Sequence, residues 1–91
     1  MYENYRVLFV DDEPNILQSL RRGLMDEEYY CQFASSGKEA MEIIKNDTIA
    51  VIVTDMRMPE MTGLELLNLA KEVSPSTIRI VLSGYTHLTQ V

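Results

Sequence analysis

Basic residues are scarce in this 91-residue chain: three Lys and five Arg stand against fourteen acids, for a formal charge of -6, and they form no stripe. A nucleic-acid face needs clustered cations to neutralise phosphates, so no direct nucleic-acid partner is expected. Cysteine is nearly absent. The single Cys31 cannot close an internal disulfide, and with no His or second Cys nearby it reads as a small buried hydrophobe. No apolar run approaches the about 18 residues of a membrane helix, and residues 1–6 lack the basic start and apolar stretch of a secretory signal. A cytoplasmic setting without membrane contact follows as the expectation. The lone imidazole, His87, has no partner in the neighbouring sequence and reads as an exposed helix residue. The length bounds residues 1–91 to one domain, near the lower limit for a self-sufficient core.

What the chain does have is regular alternation. Arg6-Val-Leu-Phe-Val10 is a short apolar strand ended by Asp11-Asp12-Glu13, and Pro14 suits the first turn of a helix. In that helix Ile16, Leu17, Leu20 and Leu24 share one face, and its end is expected near Glu28. Tyr29 to Ala34 reads as a second strand. Ser36 with Glu39 fits a capping box for a second helix, with Ala40, Met41, Ile43 and Ile44 inward and its end near Asn46-Asp47. The run from Ile49 to Thr54 is apolar and β-branched, as in a parallel strand covered on both faces, and it delivers Asp55 to its open end. Thr62 with Glu65 opens a third helix, carrying Leu66, Leu69, Ala70 and Val73 until Ser74-Pro75 stops it. Thr77 to Leu82 is a fourth strand closed by Ser83-Gly84, and residues 86–91 are expected to begin another helix. Such a βαβαβαβ order with short loops implies a doubly wound parallel sheet.

Of the two common orders for such sheets, the flavodoxin-like one, 2-1-3-4-5, sets the first and third strands side by side. Asp11, Asp12 and Asp55 then meet at neighbouring strand ends, about 4.8 Å apart in the sheet, where one cation can serve all three. Oxygen ligands without His or Cys favour Mg²⁺, with Mn²⁺ possible, over zinc. Taken alone, Asp11 and Asp12 are more simply caps of the first helix. The arrival of Asp55 weakens that reading, because unpaired like charges repel and raise one another's pKa. Ser83 closes the strand beside Asp55; taken alone it is ordinary turn chemistry, but beside an acid a neutral donor suits a phosphoryl oxygen.

As a set, Asp11-Asp12, Asp55-Met-Arg-Met-Pro59 with Gly63, and Ser83-Gly84 resemble the receiver domain of bacterial two-component response regulators, over nearly the whole chain. The resemblance implies that Asp55 accepts a phosphoryl group from a sensor histidine kinase or phosphotransfer protein. It further implies Mg²⁺ held by Asp12, Asp55, the backbone carbonyl of Arg57 and, through water, Asp11, with the Ser83 hydroxyl moving to bind the new phosphoryl group. Such a domain is a signalling phosphoacceptor, and its only chemistry is its own phosphorylation and dephosphorylation.

The family has a fifth strand ending in Lys-Pro and a fifth helix, and this chain stops before both. The expected sheet is therefore 2-1-3-4, with Ile78–Val81 as an uncovered edge and part of one face bare, which invites self-association through that edge or by exchange of terminal elements. Lys38, Lys45 and Lys71 fall on or near the second and third helices and do not replace the absent lysine. A pseudo-receiver, serving protein interaction or dimerisation without phosphorylation, is the alternative. An aspartyl phosphatase is weaker, since its usual second acid would stand where Arg57 is. Met56, Met58 and Met61 flank the site loop and are expected to pack there.

Overall fold

The computed structural model describes residues 5–82 and the backbone of 88–90. Four parallel strands, β1 (Arg6–Val10), β2 (Tyr30–Ala34), β3 (Val51–Asp55) and β4 (Ile78–Leu82), alternate with α1 (Pro14–Gly23), α2 (Gly37–Asn46) and α3 (Gly63–Val73). They stand in the order 2-1-3-4 anticipated for a flavodoxin-like sheet. The chain steps from β1 to β2 in one direction and onward to β3 and β4 in the other. With right-handed crossovers, that reversal puts α1 on one face and α2 with α3 on the other.

The two faces are filled differently. Leu8, Val10, Ala34, Ile52 and Val81 point at α2 and α3, where they meet Ala40, Ile44, Leu66, Leu67 and Ala70 in the buried core. The alternate residues Val7, Phe9, Phe33, Val51, Val53 and Ile80 face the α1 side and are only partly buried. There α1 buries only Leu17, while Ile16, expected to face inward, is 43% exposed. Arg21 helps to cover this side by laying its guanidinium 4.4 Å from the Phe33 ring centroid, and Phe33 stacks on Phe9 at 5.7 Å.

Three further expectations need correction. The first helix ends at Gly23, well short of Glu28. Glycine is a poor helix former, and Asp26-Glu27-Glu28 would set negative charge against the negative end of the helix dipole. On α3 the inward row is Gly63, Leu66, Leu67 and Ala70, while Leu69 and Val73 are exposed at 40% and 45%. Counting in helical steps from Gly63 puts 66, 67 and 70 over the sheet and leaves 69 and 73 on the flank. Finally, Leu88–Gln90 forms a short strand, β5, antiparallel to β4, in place of the expected helix. It pairs with Ile80, Val81 and Leu82, so the edge expected to be bare is covered along that part of its length. Edge pairing gives partners to backbone groups that a single helical turn would leave to water.

Of the two predicted capping boxes, the one on α3 forms in full and the one on α2 only by half. On α3, Glu65 N–H donates to Thr62 Oγ1 at 3.2 Å and Thr62 N–H to the Glu65 carboxylate at 3.0 Å. On α2, Glu39 N–H donates to Ser36 Oγ, but the Glu39 carboxylate accepts from Ser35 N–H instead of Ser36. At the opposite end of the strands the buried Thr77 hydroxyl donates to the Ile49 carbonyl at 2.7 Å and pins the start of β4 to the lead-in of β3. Among the described residues no helix is long and apolar enough to cross a membrane.

Candidate functional site

β1 and β3 lie side by side with Val10 opposite Thr54, so each strand hands its next residue, Asp11 or Asp55, to the same end of the sheet. Together with Asp12 these carboxylates offer oxygens that all lie within 4.8 Å of one another, and each residue is partly buried. Three carboxylates at this spacing could hold one cation between them. Asp11 is held in place by two bonds: its N–H continues the sheet to the Ala34 carbonyl at 3.1 Å, and its carboxylate accepts from Glu13 N–H at 2.9 Å. The N-cap of α1 is Glu13, without a side-chain cap, so the simpler reading of Asp11 and Asp12 as helix caps is not realised.

Burial pushes the Asp11 carboxyl above its ordinary value of 3.8. The Glu13 N–H pulls the other way, and the negative charges of Asp55, Asp12 and Glu13 add to the rise. Desolvation and like charge both disfavour the ionised form here, and a cation would oppose both.

The loop after Asp55 is closely constrained. A Cβ on Gly63 would lie 2.3 Å from the Asp55 carbonyl oxygen and 3.0 Å from Met56 Cα, so only glycine lets α3 begin against the end of β3. Gly63 N–H donates to the Met56 carbonyl at 2.8 Å. Between them, Met61 N–H reaches back to the Pro59 carbonyl at 2.7 Å, with Glu60 in the left-handed region at φ 68. Three-residue turns of this hand are strained for a residue with a side chain. The methionines pack as expected: Met58 is buried, while Met56 and Met61 lean on the core.

Arg57 lies exposed in this loop, two residues past Asp55. Ser83 and His87 fall outside the described residues; β4 is in register with β3 up to Leu82 opposite Asp55. The three lysines are exposed on helices. Lys45 and Lys71 occupy the last turns of α2 and α3, which return to the end of the sheet away from Asp55, and Lys38 follows the outer strand β2. Sequence reasoning passed over Thr54, which is fully buried and donates its hydroxyl to the Asp55 carbonyl at 3.0 Å. The available signal was a hydroxyl in an otherwise apolar strand, directly before the acid.

Comparison with known proteins agrees with this geometry. Residues 7–91 match the family described as the response regulator receiver domain. The hydrogenase transcriptional regulatory protein HoxA of Cupriavidus necator is 45% identical over 80 residues, which is 88% of this chain and 16% of that regulator. A receiver domain protein of Methanospirillum hungatei superposes with a TM-score of 0.83 at 32% identity, covering 91% of this chain and 66% of that one. A second solved structure holds response regulator TrrA in complex with the histidine kinase ThkA. The match there has a TM-score of 0.81 at 32% identity and covers 91% of this chain and 72% of the matched one. The chain thus spans only a small part of the curated regulators it matches, 16% and 18% of the first two. With the family match extending over nearly its whole length, the chain belongs to the response regulator receiver domains of two-component systems.

Proposed function

We propose that Asp55 is the phosphoacceptor of this receiver domain. The observation that carries the reading is the convergence of Asp11, Asp12 and Asp55 within 4.8 Å at the ends of β1 and β3. An oxygen of the Asp55 carboxylate attacks the phosphorus of a phosphohistidine. The P–N bond breaks, an acyl phosphate forms, and the imidazole leaves on the donor. Asp12, Asp55 and the Arg57 carbonyl, with Asp11 through water, would hold Mg²⁺ or Mn²⁺, which supplies charge neutralisation of the phosphoryl oxygens. The donor set is all oxygen and lacks His and Cys, which suits a hard cation. Ser83 serves as the hydroxyl donor to the phosphoryl group once it is on Asp55.

A sensor histidine kinase or phosphotransfer protein is the proposed donor, supported by the likeness to a receiver solved with its kinase. We place the chain in the cytoplasm, where such donors present their histidines. Incubation with acetyl phosphate and Mg²⁺, read by intact mass, tests the assignment. A single labile phosphate adduct is expected, absent in Asp55→Asn. An unmodified wild type would instead favour the pseudo-receiver, a protein-interaction module that is never phosphorylated.

Self-association is proposed for the β4 side of the sheet. β5 pairs with β4 only from Ile80 to Leu82, and Ile78 is 46% exposed beside the thinly covered α1-side face. Light scattering at rising concentration should register dimers, and a constant monomer mass would remove the proposal.

A further inference from the structure

We infer that Thr54 is a positioning residue for Asp55, acting through its hydroxyl and not its bulk; the inference rests on Asp55 being the phosphoacceptor. Thr54 is fully buried and stands in register with Val10 on one side and Val81 on the other, both apolar and both in the core. Nothing in that packing calls for an oxygen. A buried hydroxyl is costly unless it is bonded, and this one is.

Its Oγ1 donates to the Asp55 carbonyl at 3.0 Å, and the Met58 sulfur lies 3.9 Å away. One O–H carries one proton, and the carbonyl is the stronger acceptor, so the bond to Asp55 dominates and the sulfur is an alternate. The same carbonyl oxygen is crowded by Gly63, where a Cβ would come within 2.3 Å of it, and the next carbonyl, of Met56, accepts from Gly63 N–H at 2.8 Å. The Asp55–Met56 peptide is therefore held by the threonine hydroxyl and braced against the first residue of α3. That peptide sets both the direction of the Asp55 carboxylate and the path of the loop that carries the Arg57 carbonyl. Three carboxylates within 4.8 Å tolerate little rotation there.

The molecule supplies its own control. Thr77 is also buried and also donates to a backbone carbonyl, that of Ile49, but at the opposite end of the strands, where β3 and β4 begin. A general role for buried threonine hydroxyls in rigidity would make the two equivalent.

The test compares Thr54→Val, which keeps the shape and removes the hydroxyl, with Thr54→Ser, which keeps the hydroxyl and leaves a small void, and with Thr77→Val. Three quantities are read: the adduct-formation rate at saturating acetyl phosphate and Mg²⁺, the Mg²⁺ affinity by calorimetry, and the melting temperature. Thr54→Val should fold and lose about tenfold or more in rate, in Mg²⁺ affinity or in both, as misplacement of reacting groups or loss of outer-shell support does. Thr54→Ser should stay within about twofold of wild type in both despite a lower melting temperature, because its site geometry is kept. Thr77→Val should lower the melting temperature alone. Wild-type behaviour of Thr54→Val, or equal losses in Thr54→Ser, would overturn the inference. If the wild type forms no adduct, the phosphoacceptor reading fails separately, and the Mg²⁺ titrations of the same variants still decide whether the hydroxyl shapes the acidic cluster.

Discussion

The two faces of the sheet are built from alternate residues of the same strands, yet only one is a finished core. On the α2–α3 side Leu8, Ile52, Leu66 and Ala70 are wholly buried. On the α1 side Val7, Val51 and Ile78 help to line an open hollow of about 570 Å³. Composition does not separate the two faces, since both are apolar. The difference is how much helix lies over each: α2 and α3 pack against one another and the sheet, whereas among the described residues α1 covers its side alone. An apolar strand residue is thus a statement about potential burial, and its energetic weight is set by what is laid upon it.

That contrast can be broken by mutation. Ile52→Ala should cost about 2–5 kcal/mol in denaturant unfolding, whereas Ile78→Ala on the α1 side should cost under about 1. Equal costs would mean that the α1 face is covered in solution, most simply by a second copy. Gly63→Ala, at the point where α3 meets the end of β3, drives a methyl into the Asp55 carbonyl and should cost about 1–3 kcal/mol. It should also slow adduct formation, because the atoms that must move belong to the site. Thr62→Ala, one residue earlier, removes the cap of α3 and should cost about 1 kcal/mol while leaving the adduct yield of the folded protein unchanged.

The smallest expected effect concerns the charges at the end of the sheet. The Asp11 carboxyl is raised above 3.8 in the folded chain. Its contribution to stability is therefore fully present below that value and is lost as pH rises through the folded pKa. Asp11→Asn should raise the melting temperature of the metal-free protein at neutral pH and flatten this part of its pH dependence, while weakening Mg²⁺ binding. Melts in chelator and in excess Mg²⁺, each across an acidic-to-neutral series, check both signs. A variant that melts lower than wild type in chelator would show that Asp11 stabilises the loop through its bond to Glu13 more than its charge destabilises it.

Much of this was legible along the chain because its causes are local. Thr62 and Glu65 announce the start of α3, since a capping box needs only residues three apart. Asp55 is marked by an apolar strand that ends in an acid. Less legible were features decided by what lies across the fold. Gln32, which interrupts the second strand's apolar pattern, is partly buried between Arg6 and Asp47, donating to Asp47 at 3.1 Å and accepting from Arg6 at 3.4 Å. Leu69 and Val73 satisfy helical spacing as well as Leu67 does, and only the seat of α3 on the sheet chooses between them.

The sequence by itself determined the alternation of strands and helices, the delivery of acids to strand ends and the glycine at position 63. Periodicity, caps and turn chemistry act over a few residues, so they can be read without knowing what the segment will touch. Only the tertiary structure decided that β5 returns antiparallel along β4 and that, among the described residues, one face is left half covered. Those outcomes depend on segments far apart in the chain meeting at particular distances, and no local pattern carries that information.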